Sequence, residues 1–133
     1  MTYTILLVED DPWLAELYHD IVQKIPSCSV LTAASADAAL TQLDTNKKID
    51  LIILDMFLPQ HNGIELLHEL ASYEDSGQIP VVILSNVSPH DFRMSQERWR
   101  QYGVQEYLDK SKTKPQDLVA AVKKQLAYVE VQV

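Results

Sequence analysis

The stretch Asp50-Leu51-Ile52-Ile53-Leu54-Asp55 decides the fold, because four consecutive apolar residues stand between two carboxylates. An apolar run without alternation is typical of a strand that is buried on both faces of a sheet. The run is also short for a buried helix, and it stops sharply at Asp55. It therefore predicts a central strand of a parallel sheet, with Asp55 at its carboxyl end.

Further short strands are expected at residues 5–8, 29–33, 81–84 and about 106–109, with amphipathic helical stretches between them. Strands that alternate with helices form a parallel sheet with right-handed crossovers. Pro89 is expected to open one polar fourth helix, and Gly103 to close it. The predicted fold is α/β: a doubly wound, five-stranded parallel sheet of order 2-1-3-4-5.

Composition narrows the classes of function. The chain has 133 residues without repeats or a linker, so residues 1–133 are predicted to form a single domain. Its 11 Lys and Arg against 19 Asp and Glu give a net charge of −8, which opposes direct nucleic-acid binding. Cys28 is the single cysteine, so an intrachain disulfide is excluded. Neither a signal peptide nor a membrane span is predicted, and a cytoplasmic location is expected.

Polar residues stand where the predicted strands end. Ligands of this fold class bind outside the carboxyl ends of strands 1 and 3, which brings Asp10 and Asp55 together. Two carboxylates about 4 Å apart repel by ~1 kcal/mol in water and ~4 kcal/mol at an effective dielectric near 20. Mg²⁺ and Lys110 can offset this repulsion, and Ser85 can donate to a phosphoryl oxygen. The set suits transfer of a phosphoryl group to a carboxylate.

Each of these residues also has an ordinary structural explanation. A carboxylate after a strand often caps a helix, and this is the preferred reading of Asp11, which precedes Pro12. Ser85 alone is a strand-end hydroxyl, and Lys110 alone is a solvated lysine. Because such groups follow four different strands of one plausible fold, a common site is favoured over four coincidences.

With these residues in view, the sequence resembles the receiver domain of bacterial two-component response regulators over essentially its whole length. The spacing of Asp55, Pro59 and Gly63, together with an acidic pair and a lysine, carries the resemblance. The matching segments are Leu7-Val8-Glu9-Asp10-Asp11, Asp50-Leu51-Ile52-Ile53-Leu54-Asp55, Val82-Ile83-Leu84-Ser85 and Tyr107-Leu108-Asp109-Lys110. The resemblance implies a flavodoxin-like receiver fold.

The resemblance also implies the role of each site residue. Asp55 accepts phosphate from a sensor histidine kinase, assisted by Lys110 and Ser85. Mg²⁺ is bound by Asp10, Asp55 and the backbone carbonyl of Phe57, with Glu9 holding it through water. Ser85 and Tyr107 form the switch, which changes the face made by the fourth helix, fifth strand and fifth helix. An output domain or effector protein binds that face. Phosphorylation-dependent formation of a homodimer is a further alternative.

Three positions depart from the family pattern. Asn86 stands where a small residue is usual, and Ser111 stands where proline usually follows the lysine. Phe57 is bulkier than the residue that many relatives carry. By resemblance, positions 57 and 87 flank the path of the water that hydrolyses the aspartyl phosphate. Phe57 and Val87 cannot orient a water, so a long-lived phosphorylated form is expected; the competing effect is the amide of Asn86, which could position a water instead.

Other functions stay open as alternatives. The chain is either free-standing or the N-terminal receiver module of a larger regulator with a DNA-binding or other output domain. A flavodoxin-like electron carrier is disfavoured, because Glu9, Asp10 and Asp11 would repel the phosphate of FMN. A haloacid-dehalogenase-type phosphatase with Asp55 as nucleophile is also disfavoured. Such enzymes have an Asp-x-Asp pattern, whereas position 57 of this chain is Phe. A phosphate-independent scaffold would not need the acidic pocket. The expectation is a switch with at most self-phosphorylation and slow autodephosphorylation, not an enzyme.

Overall fold

The computed structural model describes residues 2–45, 48–58, 62–72 and 79–132, with side chains described as far as residue 127. Pro59, which belongs to the predicted family motif, lies outside the described residues. Strands and helices alternate along the described chain. They are β1 Tyr3–Val8, α1 Pro12–Gln23, β2 Cys28–Ala33, α2 Ala36–Thr45, β3 Leu51–Leu54, α3 Gly63–Ser72, β4 Val81–Ser85, a 3-10 helix Pro89–Phe92, α4 Gln96–Gln101, β5 Val104–Asp109 and α5 Pro115–Gln132.

The described strands form a sheet of order β2-β1-β3-β4-β5, and every neighbouring pair is parallel. This confirms the predicted architecture and strand order. The order reverses at β1, which pairs with β2 on one side and β3 on the other. The crevice between the carboxyl ends of β1 and β3 is therefore the switch point at which such folds bind ligands.

Both faces of the sheet are covered, because side chains alternate along each strand. Leu6 and Val8 of β1 belong to the cluster on one face, whereas Ile5 and Leu7 belong to the cluster on the other. The first cluster includes residues of α2 and α3, and the second includes residues of α1 and α5. All four residues of β3 are buried, as the unbroken apolar run predicted.

The prediction of a single fourth helix was wrong. Pro89 opens only a short 3-10 helix, which ends at Arg93 in the left-handed conformation (φ 51°). Ser95 then starts α4 anew, because its hydroxyl accepts a hydrogen bond from the N–H of Arg98 (3.1 Å). Gly103 follows α4 with φ 82°, a conformation that glycine adopts without strain, as expected of a closing residue.

Among the described residues, no helix combines the length and apolarity that crossing a membrane requires. Cys28 is buried in β2.

Candidate functional site

Three backbone hydrogen bonds extend the sheet by one residue and hold the predicted site residues at its carboxyl edge. The N–H of Glu9 donates to the carbonyl of the last residue of β2 (3.0 Å), and that of Asp55 to the last residue of β1 (3.0 Å). The N–H of Lys110 donates to the last residue of β4 (3.1 Å). The backbone of these site residues therefore continues the hydrogen-bond ladders of the sheet.

Lys110 joins two of the predicted acidic residues. Its Nζ donates to Oε1 of Glu9 (2.5 Å) and to Oδ2 of Asp55 (2.7 Å). All three side chains are nearly buried, with exposed fractions of 8%, 2% and 7% for Lys110, Glu9 and Asp55. Removing the ammonium from such a buried group would leave two carboxylates without their cation.

The other oxygen of Asp55 is also engaged. Oδ1 accepts hydrogen bonds from the Ser85 hydroxyl (2.8 Å) and from the N–H of Phe57 (3.0 Å). Ser85 is only 1% exposed, so its hydroxyl has little access to competing water. The Asp55 carboxylate is thus held in one orientation by one cation and two neutral donors.

Carboxylates gather beside this ion pair. One oxygen from each of Glu9, Asp10 and Asp55 lies within 4.8 Å of the others, and Asp10 is the exposed member. Three carboxylates and one ammonium leave two negative charges in excess when all are ionised. Hard oxygen ligands with excess negative charge fit a divalent cation such as Mg²⁺. The proposed contribution of the Phe57 carbonyl stays a prediction.

Burial and pairing shift the ionisation of two site residues. Burial raises the pKa of Glu9, and the hydrogen bond from Lys110 only partly opposes this. For Lys110, burial alone lowers the pKa, but the hydrogen bonds to Asp55 and Glu9 outweigh it and raise the pKa above its ordinary value. Lys110 therefore remains charged at neutral pH.

Asp11 has the capping role that the sequence predicted. Its Oδ1 accepts from the N–H of Trp13 (2.9 Å) and of Leu14 (3.2 Å) at the start of α1. Its own N–H donates to Oε2 of Glu9 (3.2 Å), a contact that sequence reasoning missed. Asp11 thus orients the second oxygen of the buried glutamate.

The site opens to solvent through a cavity of about 270 Å³. Its lining residues are Glu9, Asp10, Asp11, Leu14, Asp55, Phe57, Ser85, Asn86, Val87 and Lys110. Phe57 and Val87 both belong to the wall, and the Phe57 side chain is 74% exposed. Both apolar side chains are therefore close to any molecule that reaches Asp55.

Hydrogen bonds connect Asp55 to Tyr107 on β5. Ser85 Oγ, which donates to Asp55, also accepts from the N–H of Val87 (3.2 Å). The Tyr107 hydroxyl in turn donates to the Val87 carbonyl. Burial and the negative charge of Asp55 raise the pKa of Tyr107 to about 12. We call this series, Asp55, Ser85, Val87 and Tyr107, the switch path.

Aromatic rings continue from the end of the switch path. The Trp99 ring packs edge-on against Tyr107, with centroids 5.6 Å apart, and against Phe92 at 5.9 Å. Phe92 and Trp99 fall within the polar fourth helix predicted between Pro89 and Gly103, but the contact of Trp99 with Tyr107 was not predicted. The signal available was weak, because aromatic residues on a polar helix do not specify the strand that they cover.

Comparisons with known proteins agree with the observed fold. The family described as the response regulator receiver domain matches residues 5–123. The transcriptional regulatory protein MalR of Bacillus subtilis (strain 168) is 33% identical over 106 residues, which are 80% of this chain and 43% of that protein. The nitrate/nitrite response regulator protein NarL of Escherichia coli (strain K12) is 33% identical over 119 residues, which are 90% of this chain and 52% of that protein.

A solved structure extends the comparison to three dimensions. A response regulator receiver domain protein from Clostridium thermocellum superposes with a TM-score of 0.82 at 25% identity, covering 98% of this chain and 99% of that one. The chain spans only about half the length of the two curated relatives.

Proposed function

Because this chain belongs to the response regulator receiver domain family, a component of two-component signalling, we propose that Asp55 accepts a phosphoryl group from a sensor histidine kinase. The observation that carries this proposal is the buried Lys110 ammonium between Glu9 and Asp55, beside an acidic cluster. The assigned residues are those implied by the family resemblance.

The proposed reaction is a displacement at phosphorus. An oxygen of Asp55 attacks the phosphorus of a phosphohistidine, the phosphorus–nitrogen bond breaks, and the histidine nitrogen keeps the electron pair and takes up a proton. Charge accumulates on the phosphoryl oxygens during the transfer. Lys110 neutralises part of that charge, and the hydroxyl of Ser85 moves its hydrogen bond from Asp55 to a phosphoryl oxygen.

The proposed Mg²⁺ ligands are Asp10, Asp55 and the backbone carbonyl of Phe57, with Glu9 acting through water. The cluster of three carboxylate oxygens within 4.8 Å supports this assignment. When bound, the ion supplies positive charge to the phosphoryl oxygens. Glu9 and Asp10 follow β1 on one side of β3, while Lys110 follows β5 on the other side, all at the carboxyl edge of the sheet.

Phosphorylation is proposed to act through the switch path. When the Ser85 hydroxyl follows a phosphoryl oxygen, Val87 moves with it, because the N–H of Val87 donates to that hydroxyl. Tyr107, bonded to the Val87 carbonyl, then changes its position against Trp99. The face formed by α4, β5 and α5 is proposed to bind the output domain or effector, or a second copy of the chain. The phosphoryl group biases two pre-existing states.

A longer regulator is the alternative setting for this receiver. The partial coverage of MalR, named a transcriptional regulatory protein, favours it. In that setting residues 1–133 act as the receiver module in the cytoplasm, and nucleic acid is bound by another part of the protein. Translating the complete reading frame of the gene decides between the two settings.

Intact-mass measurement after incubation with acetyl phosphate tests the proposed function. Wild type should gain one phosphoryl group only with Mg²⁺ or Mn²⁺, and Asp55→Asn should gain none. Asp37→Asn, at an acidic residue in the first turn of α2, is the matched control and should label like wild type. Equal labelling of wild type and Asp55→Asn would contradict the assignment of Asp55.

A further inference from the structure

Lys110 is the first residue after β5, so its side chain is anchored at the beginning of a loop. The loop, residues 110–114, leads to α5. A lysine side chain has four rotatable bonds and loses much freedom when it is held in one place. Yet the Lys110 ammonium is held within 2.7 Å of two carboxylates. Something must therefore fix the backbone from which this side chain projects.

On the strand side, the backbone of Lys110 is fixed by the sheet. Its N–H donates to the carbonyl of Ser85, which continues the β4–β5 ladder by one bond (3.1 Å). This bond fixes only the amino side of the residue. The direction of the side chain also depends on the turn that follows.

On the loop side, Asp109 closes a turn around Lys110. Its Oδ1 accepts from both the N–H (2.8 Å) and the hydroxyl (2.7 Å) of Ser111. Its carbonyl accepts from the N–H of Lys112 (3.0 Å) and from the hydroxyl of Thr113 (2.7 Å). Asp109 thus accepts four hydrogen bonds from residues that follow Lys110 in the loop. The two donors of Ser111 also lower the pKa of Asp109, which keeps the acceptor ionised at neutral pH.

We propose that Asp109 and Ser111 are positioning residues that hold Lys110 against Glu9 and Asp55. The proposal rests on the proposed function of Lys110 and adds the residues that orient its side chain. In this chain the turn is fixed by a carboxylate and a hydroxyl, whereas the family usually places proline after the lysine. The hydrogen bonds described for Asp109 and Ser111 lie within the loop, so both residues are proposed to act on the carboxylates through Lys110.

Ordinary stabilisation of the loop is the competing explanation, and Asp117 offers a matched control. Its Oδ2 accepts from the N–H of Lys114 (2.9 Å), in the same loop but beyond the turn at Lys110. Asp117→Ala therefore removes a comparable exposed hydrogen bond without opening that turn. Asp109→Asn is the conservative variant, because an amide oxygen can still accept from Ser111.

The test measures phosphorylation by acetyl phosphate with Mg²⁺ in the full chain, together with the midpoint of urea unfolding. Asp109→Ala should slow phosphorylation about tenfold, which corresponds to ~1.4 kcal/mol in activation free energy. Asp109→Asn should restore most of the rate, and Asp117→Ala should leave it within about twofold of wild type. Slowing by Asp117→Ala equal to that by Asp109→Ala would overturn the proposal.

A double-mutant cycle separates positioning from general damage. In a Lys110→Met background, Asp109→Ala should not slow phosphorylation further, since no ammonium remains to be positioned. Equal slowing in both backgrounds would show that Asp109 acts independently of Lys110 and would overturn the proposal.

A readout that does not require phosphorylation keeps this inference distinct from the proposed function. Nitrogen NMR of the Lys110 ammonium should give a signal protected from solvent exchange in wild type and Asp109→Asn. Asp109→Ala should lose that protection. An unchanged signal in Asp109→Ala refutes positioning even where wild type takes up no phosphate. A lost signal with an unphosphorylated wild type refutes only the proposed function.

Discussion

Replacing Lys110 by methionine tests the electrostatic centre of the site, because it removes the ammonium and keeps a side chain of similar length. The buried carboxylates of Glu9 and Asp55 would then share this space without their cation. Breaking a buried ion pair typically costs about 3–5 kcal/mol of unfolding free energy. With a urea slope of ~2 kcal/mol per M, the unfolding midpoint should fall by about 1.5–2.5 M at pH 7 without Mg²⁺.

The stability that Lys110→Met loses should become smaller as the pH falls. The direction of this change follows from the pKa values of Lys110 and Glu9, which are both raised in the folded state. The folded-state pKa of Lys110 is raised, so its stabilisation is complete below its ordinary value of 10.5 and disappears only as the pH rises through the folded value. The folded-state pKa of Glu9 is raised from 4.5, so its contribution is complete below that value and is lost as the pH rises through the folded value. In Lys110→Met, protonating Glu9 removes its repulsion with Asp55, whereas in wild type it also removes a charged partner of Lys110. Acidification should therefore stabilise the variant more than wild type.

Urea unfolding at several pH values, with and without saturating Mg²⁺, measures these effects. Lys112→Met is the matched control, because Lys112 is exposed in the same loop and should change stability by no more than about 0.5 kcal/mol. Mg²⁺ should stabilise Lys110→Met more than wild type, since the ion then offsets the uncompensated carboxylates. The reasoning fails if Lys110→Met and Lys112→Met unfold at the same urea concentration.

Three further results are expected. Gly63→Ala should cost about 1–3 kcal/mol in urea unfolding, because its Cβ would lie 2.8 Å from the Cα of Met56 and force the backbone apart; unchanged stability would contradict this. Phe57→Asn and Val87→Glu should each speed decay of the phosphorylated form, by about tenfold (~1.4 kcal/mol) for each water contact restored. Intact mass follows this decay, and if neither variant decays faster than wild type, these side chains do not control water access. Tyr107, with a pKa raised from 10.0 to about 12, should make folding less favourable between those pH values, and Tyr107→Phe should remove that part of the alkaline loss.

The features that could be predicted from sequence are those fixed by strong, repeated patterns. The apolar run of β3 and the carboxylate that ends it predicted a buried central strand with Asp55 at its edge, and the sheet has this arrangement. The alternation of strands and helices predicted a parallel sheet, whereas the order 2-1-3-4-5 was taken from the known order of doubly wound folds. Asp11 was predictable as a cap because Pro12 marks the first turn of the helix.

Features that depend on local competition could not be predicted. The fourth helix is interrupted because Arg93 adopts a left-handed conformation and Ser95 supplies a new cap, and neither choice is visible in the periodicity. The hydrogen bond between Lys110 and Glu9 joins residues 101 positions apart, so its geometry depends on the finished sheet. The turn closed by Asp109 was missed for a different reason, since hydrogen bonds within a loop leave little trace in composition.

Chemical localisation of the phosphate tests the central claim most directly. An aspartyl phosphate is reduced by borohydride to homoserine, which peptide sequencing by mass spectrometry then places in the chain. After incubation with acetyl phosphate and Mg²⁺, we predict homoserine at position 55 alone, and none when the metal is chelated. Homoserine at position 10 or 11, or metal-independent labelling at Asp55, would contradict the account.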